Sequence, residues 1–185
     1  MTVFDAAYWA ICLVLVTSGA MKVSGPDGFA AFIKPVVGSR PAPLLARLTG
    51  VAELVLGFVG LAFGGRFVAA LVAVAYLAFS FVVFIALSRS LPTCGCFGSA
   101  SAPPSGAHAA VNVISAVVAV LATARSTPGM ADGLSGVGWW SAPTVAGVLL
   151  VTILVVVVDT KPAGATFAQR NTSGGNDERT RQRRV

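Results

Sequence analysis

Apolar stretches of membrane-spanning length, separated by short polar, glycine- or proline-bearing connections, leave this chain few folds to choose from. The runs are Val3 to Met21, Leu48 to Phe63, Phe67 to Leu87, His108 to Thr123 and Thr144 to Val158. A span needs roughly 20 apolar residues. In hydrocarbon every backbone amide must be satisfied within the protein, which restricts such runs to helices or a closed barrel. The composition agrees: 56% of residues are hydrophobic, 11% are charged, and the mean hydropathy is +0.83. The expected fold is therefore all-α, a multi-pass transmembrane helix bundle of about five spans over residues 1–160, in the cell membrane and in contact with the lipid bilayer. The first run begins with Asp5 and no Lys or Arg, unlike a signal peptide, so it is expected to be a retained helix.

The connections carry the remaining structural signals. Between Lys22 and Arg47 lie Lys34, Arg40, prolines and a short apolar patch, Phe29 to Val37, too brief to cross and expected to lie along the interface. Gly64-Gly65 suits a tight reversal between antiparallel spans. Pro92 prevents simple helical continuation after Arg89, Pro103-Pro104 precedes the fourth span, and Trp139-Trp140 suggests an interfacial anchor. Residues 161–185 are expected to form a polar, basic, disordered tail. The net charge of +6 resides largely in connections and tail, where it is expected to help set topology, with lipid contact as an alternative, and no nucleic-acid partner is expected.

Chemistry concentrates at Cys94-Gly95-Cys96-Phe97-Gly98, directly after the third span. Two thiols one glycine apart suit exchange better than stapling, because so small a disulfide ring is strained and constrains almost no chain entropy. Alternation of spans puts Lys22, Arg47, Glu53, the cysteine pair, His108 and Asn112 toward one side of the membrane. Glu53, inside a span, should face the bundle interior and pair with Lys22 or Arg47. A cation such as Lys22 or Arg89 near the pair would favour the thiolate. His108 is either a helix-start residue or a proton carrier, and Asn112 could hydrogen-bond between helices. Cys12, deep in the first span, is expected to be a packed core thiol. The pair could alternatively hold Cu(I) or Zn(II), but only His108 offers a third ligand in that loop, and no metal set is assigned.

Lys22 at a helix end, Glu53 with Gly57 four residues on, a Phe-rich third span and the Cys94-Gly95-Cys96-Phe97-Gly98 string together resemble the MauE proteins of methylamine utilisation, grouped with DoxX-like redox-associated membrane proteins. The resemblance runs from about Val3 to Ala124. It implies a membrane protein that supports disulfide formation in an extracytoplasmic client, in the named case the small subunit of methylamine dehydrogenase, alongside a thioredoxin-like, MauD-type partner. Cys94 and Cys96 would be the catalytic pair, with Lys22, Glu53, His108 and Asn112 in support. The arginine–asparagine pair common in the helix after the motif is represented here by Asn112 alone.

A relay to quinone would normally need a second cysteine pair, and the chain has three cysteines in all, which favours electron transfer to a partner over an internal quinone couple. A thiol–disulfide oxidoreductase without a soluble enzyme domain is thus set against a non-enzymatic DoxX-like subunit or a Cu(I)-binding membrane protein. Topology stays open at this level. The Lys and Arg residues of the first connection, Arg89 and the tail place the cysteine side in the cytoplasm by the positive-inside rule, whereas the family role implies the opposite face.

Overall fold

A computed structural model describes residues 2–91, 93–100, 103–135 and 141–159. The helices are α1 (Val3–Ser24), α2 (Asp27–Val37), α3 (Ala42–Ala62), α4 (Arg66–Ser88), α5 (Gly106–Arg125), α6 (Met130–Ser135) and α7 (Ser141–Asp159), with a 3₁₀ turn at Gly98–Ala100. Among the described residues the sole β-type pairing is an isolated bridge between Gly64 and Pro128. Pro92, Trp139-Trp140 and the tail from residue 161 lie outside the described residues.

Among the described residues four helices, α1, α3, α4 and α5, are long and apolar enough to cross a membrane. The fifth expected span falls on α7, whose apolar stretch, Val145–Val157, is shorter. Large apolar side chains face outward along α3, α4 and α5, among them Val51, Val55 and Phe58 on α3, Phe67, Val74, Phe81 and Phe84 on α4, and Ile114 and Val117 on α5. Water would penalise such a surface and lipid would not. The chain is an all-α, multi-pass membrane bundle.

Local sequence sets the helix ends. Thr2 caps α1 in a capping box, its backbone N–H donating to Asp5 Oδ2 at 2.6 Å. Ser105 caps α5, accepting from the His108 amide at 3.3 Å. Helix α3 starts at Ala42 and not at Leu48, because prolines at its first turn remove no helical hydrogen bond. Arg47 consequently sits within the helix, on its exposed side. The reversal at Gly64-Gly65 has both glycines at positive φ, and the Gly65 amide donates to the Thr127 carbonyl at 2.8 Å, tying the α3–α4 turn to the end of α5.

Two contacts organise the bundle. Helix α1 lies against α3 through small residues: a Cβ at Gly19 would come within 2.5 Å of the Gly50 carbonyl oxygen, and one at Gly57 within 2.7 Å of that of Cys12. Close backbone approach of this kind replaces the hydrophobic effect as the source of helix association in lipid. Helix α4 packs on α5, and Tyr8, Trp9, Leu15, Val72, Tyr76 and Ala119 form the core between α1 and this second pair. Helix α2, expected along the interface, turns back over the bundle end and buries Phe29 and Ala30 against Ala42 and Ala46 of α3.

Candidate functional site

The cysteine segment is a turn wedged between the α1–α2 corner and the ends of α4 and α5. Gly95 has φ +70° and a Cβ there would lie 2.3 Å from Phe29 Cα; at Gly98, φ +58°, it would lie 2.4 Å from the Gly25 carbonyl oxygen. Only glycine satisfies both the torsion and the space. Thr93 Oγ1 accepts from the Gly95 amide at 3.0 Å, the Gly98 amide closes the turn on the Gly95 carbonyl at 3.0 Å, and the Ser99 amide donates to the Gly25 carbonyl at 2.9 Å. The turn therefore has one backbone shape, and α2 covers it.

Beneath the turn lies a buried polar cluster. Lys22, in the last turn of α1, is fully buried, and its ammonium donates to Glu53 Oε2 at 2.8 Å, to Ser18 Oγ at 2.8 Å and to the Cys96 carbonyl. Its three protons thus have three acceptors. Phe79 and Phe29 present their rings to the same charge at 5.1 and 5.7 Å. Ser18 Oγ is 2.7 Å from both Glu53 Oε2 and the Cys96 carbonyl oxygen, so its single proton serves one of them at a time. Glu53 Oε1 is buried with no hydrogen-bond partner among the described residues.

Cys94 and Cys96 are free thiols, both buried. The Cys96 thiol donates to Cys94, and this hydrogen bond, reinforced by backbone amides and the Lys22 charge against the cost of burial, holds the Cys94 thiol down to about 7. Sharing that proton with Cys94, together with burial, pushes Cys96 well above the ordinary thiol range. One sulfur is poised as thiolate and the other retains the proton.

Of the supporting residues, Lys22 and Glu53 pair as expected, while Arg47 and Arg89 are exposed. His108 is buried at the start of α5, with Nδ1 3.2 Å from Ser105 Oγ. Asn112 does not bridge helices through its amide nitrogen, which donates to the His108 carbonyl one turn back at 2.8 Å. It does share with Cys96, Ser18 and Tyr76 the walls of a cavity of about 20 Å³, which His108 does not line. Cys12 is fully buried in the main core. Among the described residues no three His, Cys, Asp or Glu side chains cluster as a metal set would require. Ser18 was not singled out by sequence, although its position four residues before Lys22 puts both on one helix face.

The family model for methylamine utilisation protein MauE matches residues 1–125. The chain belongs to the MauE family. No match is found among curated proteins or among solved structures. The MauE match takes in α1 to α5, and with them the whole Lys22–Glu53–Ser18 cluster and the cysteine turn, whereas α6 and α7 lie beyond it.

Proposed function

We propose that this MauE-family membrane protein exchanges disulfides through Cys94 and Cys96, supporting disulfide formation in a client protein. The observation that carries this is a pair of free, buried thiols one glycine apart on a turn of fixed shape, set over the Lys22 ammonium that binds the Cys96 carbonyl. In the oxidising half, the Cys94 thiolate attacks the disulfide of a thioredoxin-like partner. The partner's S–S bond breaks and one partner sulfur leaves as thiolate. Cys96 then gives up its proton and attacks Cys94 Sγ, which forms the Cys94–Cys96 disulfide and expels the second partner sulfur. Two electrons have passed to the partner, and the two partner thiolates take up protons. A client dithiol reverses these steps on the oxidised pair and leaves with a disulfide. The resemblance that brought in the family suggests the small subunit of methylamine dehydrogenase as that client and a MauD-type protein as the partner.

Both thiols are covered, packed with Val14 of α1 and Val83 and Ala86 of α4 beneath a turn whose backbone α2 overlies, so a protein partner gains access only when part of this packing opens. The test is trapping. Cys96→Ser should accumulate a mixed disulfide through Cys94, visible as a reductant-sensitive adduct on a non-reducing gel, and Cys94→Ser should not. Absence of the adduct, with undiminished client oxidation in Cys94→Ser cells, would overturn the proposal.

Extracytoplasmic maturation requires the turn to face outward in the cell membrane. Arg40 is exposed at the same end of the bundle. In a background with Cys12, Cys94 and Cys96 replaced by alanine, Arg40→Cys should be labelled by an impermeant maleimide on intact cells. Labelling confined to inverted vesicles would place the pair toward a cytoplasmic reductant instead.

A further inference from the structure

The resolving step leaves a proton to be placed. Cys96 attacks only as thiolate, yet it is buried and its thiol is held protonated. An acceptor must be close, unprotonated and not already engaged. Lys22 fails because its ammonium carries no lone pair and its three protons are already donated. Asp27 fails because it is exposed at the start of α2, the Asn112 side chain is not a base, and the buried His108 is not among the groups whose charge acts on Cys96, which are Cys94, Lys22 and Glu53.

Glu53 is the acceptor that remains, and its charge acts on Cys96. Its carboxylate is 4% exposed, and Oε2 accepts from Lys22 and lies 2.7 Å from Ser18 Oγ, whose proton it shares with the Cys96 carbonyl. The other oxygen, Oε1, is buried and receives no donor among the described residues. Buried carboxylate oxygens are ordinarily satisfied, and one left bare calls for an explanation. The same two donors that hold Oε2 also reach the Cys96 carbonyl, so Glu53 and Cys96 are fixed against one another through Lys22 and Ser18. The titratable groups set against Glu53 are Lys22 from α1 and, from the turn, Cys96 with Cys94 beside it.

We propose that Glu53 is the base that receives the Cys96 proton in the resolving step, through its unpartnered oxygen. The inference rests on the exchange function proposed above. The Cys96 S–H bond breaks as the Cys94–Cys96 bond forms, the proton passes to the Glu53 carboxylate, and the partner sulfur leaves with the electron pair of the broken mixed disulfide. In the reverse direction Cys96 departs as thiolate and recovers its proton from Glu53. Lys22 remains anchored throughout by Ser18 and the Cys96 carbonyl.

The full chain in lipid nanodiscs, mixed with 5,5′-dithiobis(2-nitrobenzoate), separates the two chemical steps. Attack by Cys94 releases one equivalent of coloured thiolate, and attack by Cys96 on the resulting mixed disulfide releases a second. Glu53→Gln should keep the first phase within about twofold and slow the second by about a hundredfold near neutral pH, the usual worth of a general base. Its second phase should recover as pH rises and the thiol ionises unaided, and Glu53→Asp should restore part of the rate. A second phase at the parent's rate at every pH in Glu53→Gln would sink the inference. Should that variant fail to insert, Lys22→Met with Glu53→Gln removes both charges together, and a parental ratio of second to first phase in the double variant would be equally fatal. Failure of the exchange function looks different: the parent releases no second equivalent, or Cys96→Ser still does.

Discussion

Lys22 Nζ and Glu53 Oε2 lie 2.8 Å apart with their side chains 1% and 4% exposed, joining α1 to α3 directly beneath the cysteine turn. Few arrangements are costlier to assemble or to break. Each charge loses its hydration on burial, and the ion pair offsets part of that loss with help from Ser18 and the Cys96 carbonyl, which take the remaining ammonium protons. The cluster therefore ties the two-helix contact to the backbone of the turn. A change at the thiols that moves the Cys96 carbonyl is felt by Lys22, and through it by Glu53.

Lys22→Met should destabilise the fold by about 3 to 5 kcal/mol, because it strands the Glu53 carboxylate without its counter-charge. Adding Glu53→Gln should recover most of that loss, since two neutral side chains of similar size replace the pair. Thermal unfolding in one detergent, followed by circular dichroism, measures both. A single variant as stable as the parent would show that the pair contributes nothing to the fold.

The thiol pair has a pH signature with a definite sign. Cys94 is held down to about 7, so its alkylation by iodoacetamide should rise through an inflection near neutrality as the thiolate forms. Cys96→Ala removes the main cause of that depression. The Cys94 inflection should then move toward the ordinary thiol value of about 8.5, cutting its thiolate fraction at neutral pH to a few per cent. An inflection that stays near 7 in Cys96→Ala would assign the depression to Lys22 and the backbone amides. Cys94 fragments separated by mass spectrometry give the profile without interference from Cys12.

Much of this architecture was legible in the chain. Hydropathy found the long helices, and alternation of spans put Lys22, Glu53 and the cysteine motif at one end, where the structure joins them. Arg47 was an equal candidate for Glu53 only because hydropathy started α3 at Leu48. With the helix running from Ala42, Arg47 is turned to the exposed side. The role of α2 was not legible, since a run from Phe29 to Val37 looks the same whether it rests on lipid or on another part of the protein. Gly25, Gly28, Gly95 and Gly98 carried the missing information. Each suits a turn in its own right, but what they provide is mutual backbone contact between segments about 70 residues apart, as from Gly28 to Gly98, and a single sequence does not show which glycines meet. Ser18 was overlooked because hydroxyls inside apolar helices commonly bond their own backbone, as Thr17 does to the Leu13 carbonyl at 2.9 Å.

The α1–α3 seam distinguishes side-chain from backbone clashes. A Cβ on Gly60 would meet Cys12 Sγ at 2.7 Å, whereas one on Gly57 would meet the Cys12 carbonyl oxygen at 2.7 Å. Gly60→Ala and Gly57→Ala should each cost about 1 to 3 kcal/mol, the usual price of overpacking. Cys12→Ala should rescue the first and not the second, because it removes the sulfur and leaves the carbonyl in place. Unfolding midpoints of the single and double variants decide the matter. Equal rescue of both would mean that the helices relax apart and do not pack through these glycines.

Helix α2 as the cover of the thiols makes the last prediction. Gly28 lies in its first turn, and a Cβ there would stand 2.1 Å from the Gly98 carbonyl oxygen and 2.8 Å from its carbon, both backbone atoms with no freedom to turn aside. Alanine is otherwise the better helix former by about 1 kcal/mol, so Gly28→Ala strengthens α2 as a helix while forcing it off the cysteine turn. The expected result is a protein that still inserts but whose Cys94 reacts with N-ethylmaleimide at least about tenfold faster, the equivalent of about 1.4 kcal/mol taken from the cost of opening. Gly106→Ala provides the control, because a Cβ there has nothing within 4 Å. If Gly28→Ala is alkylated no faster than the parent at the same pH, α2 is not what shields the pair, and access must come instead from movement of the turn itself between α4 and α5.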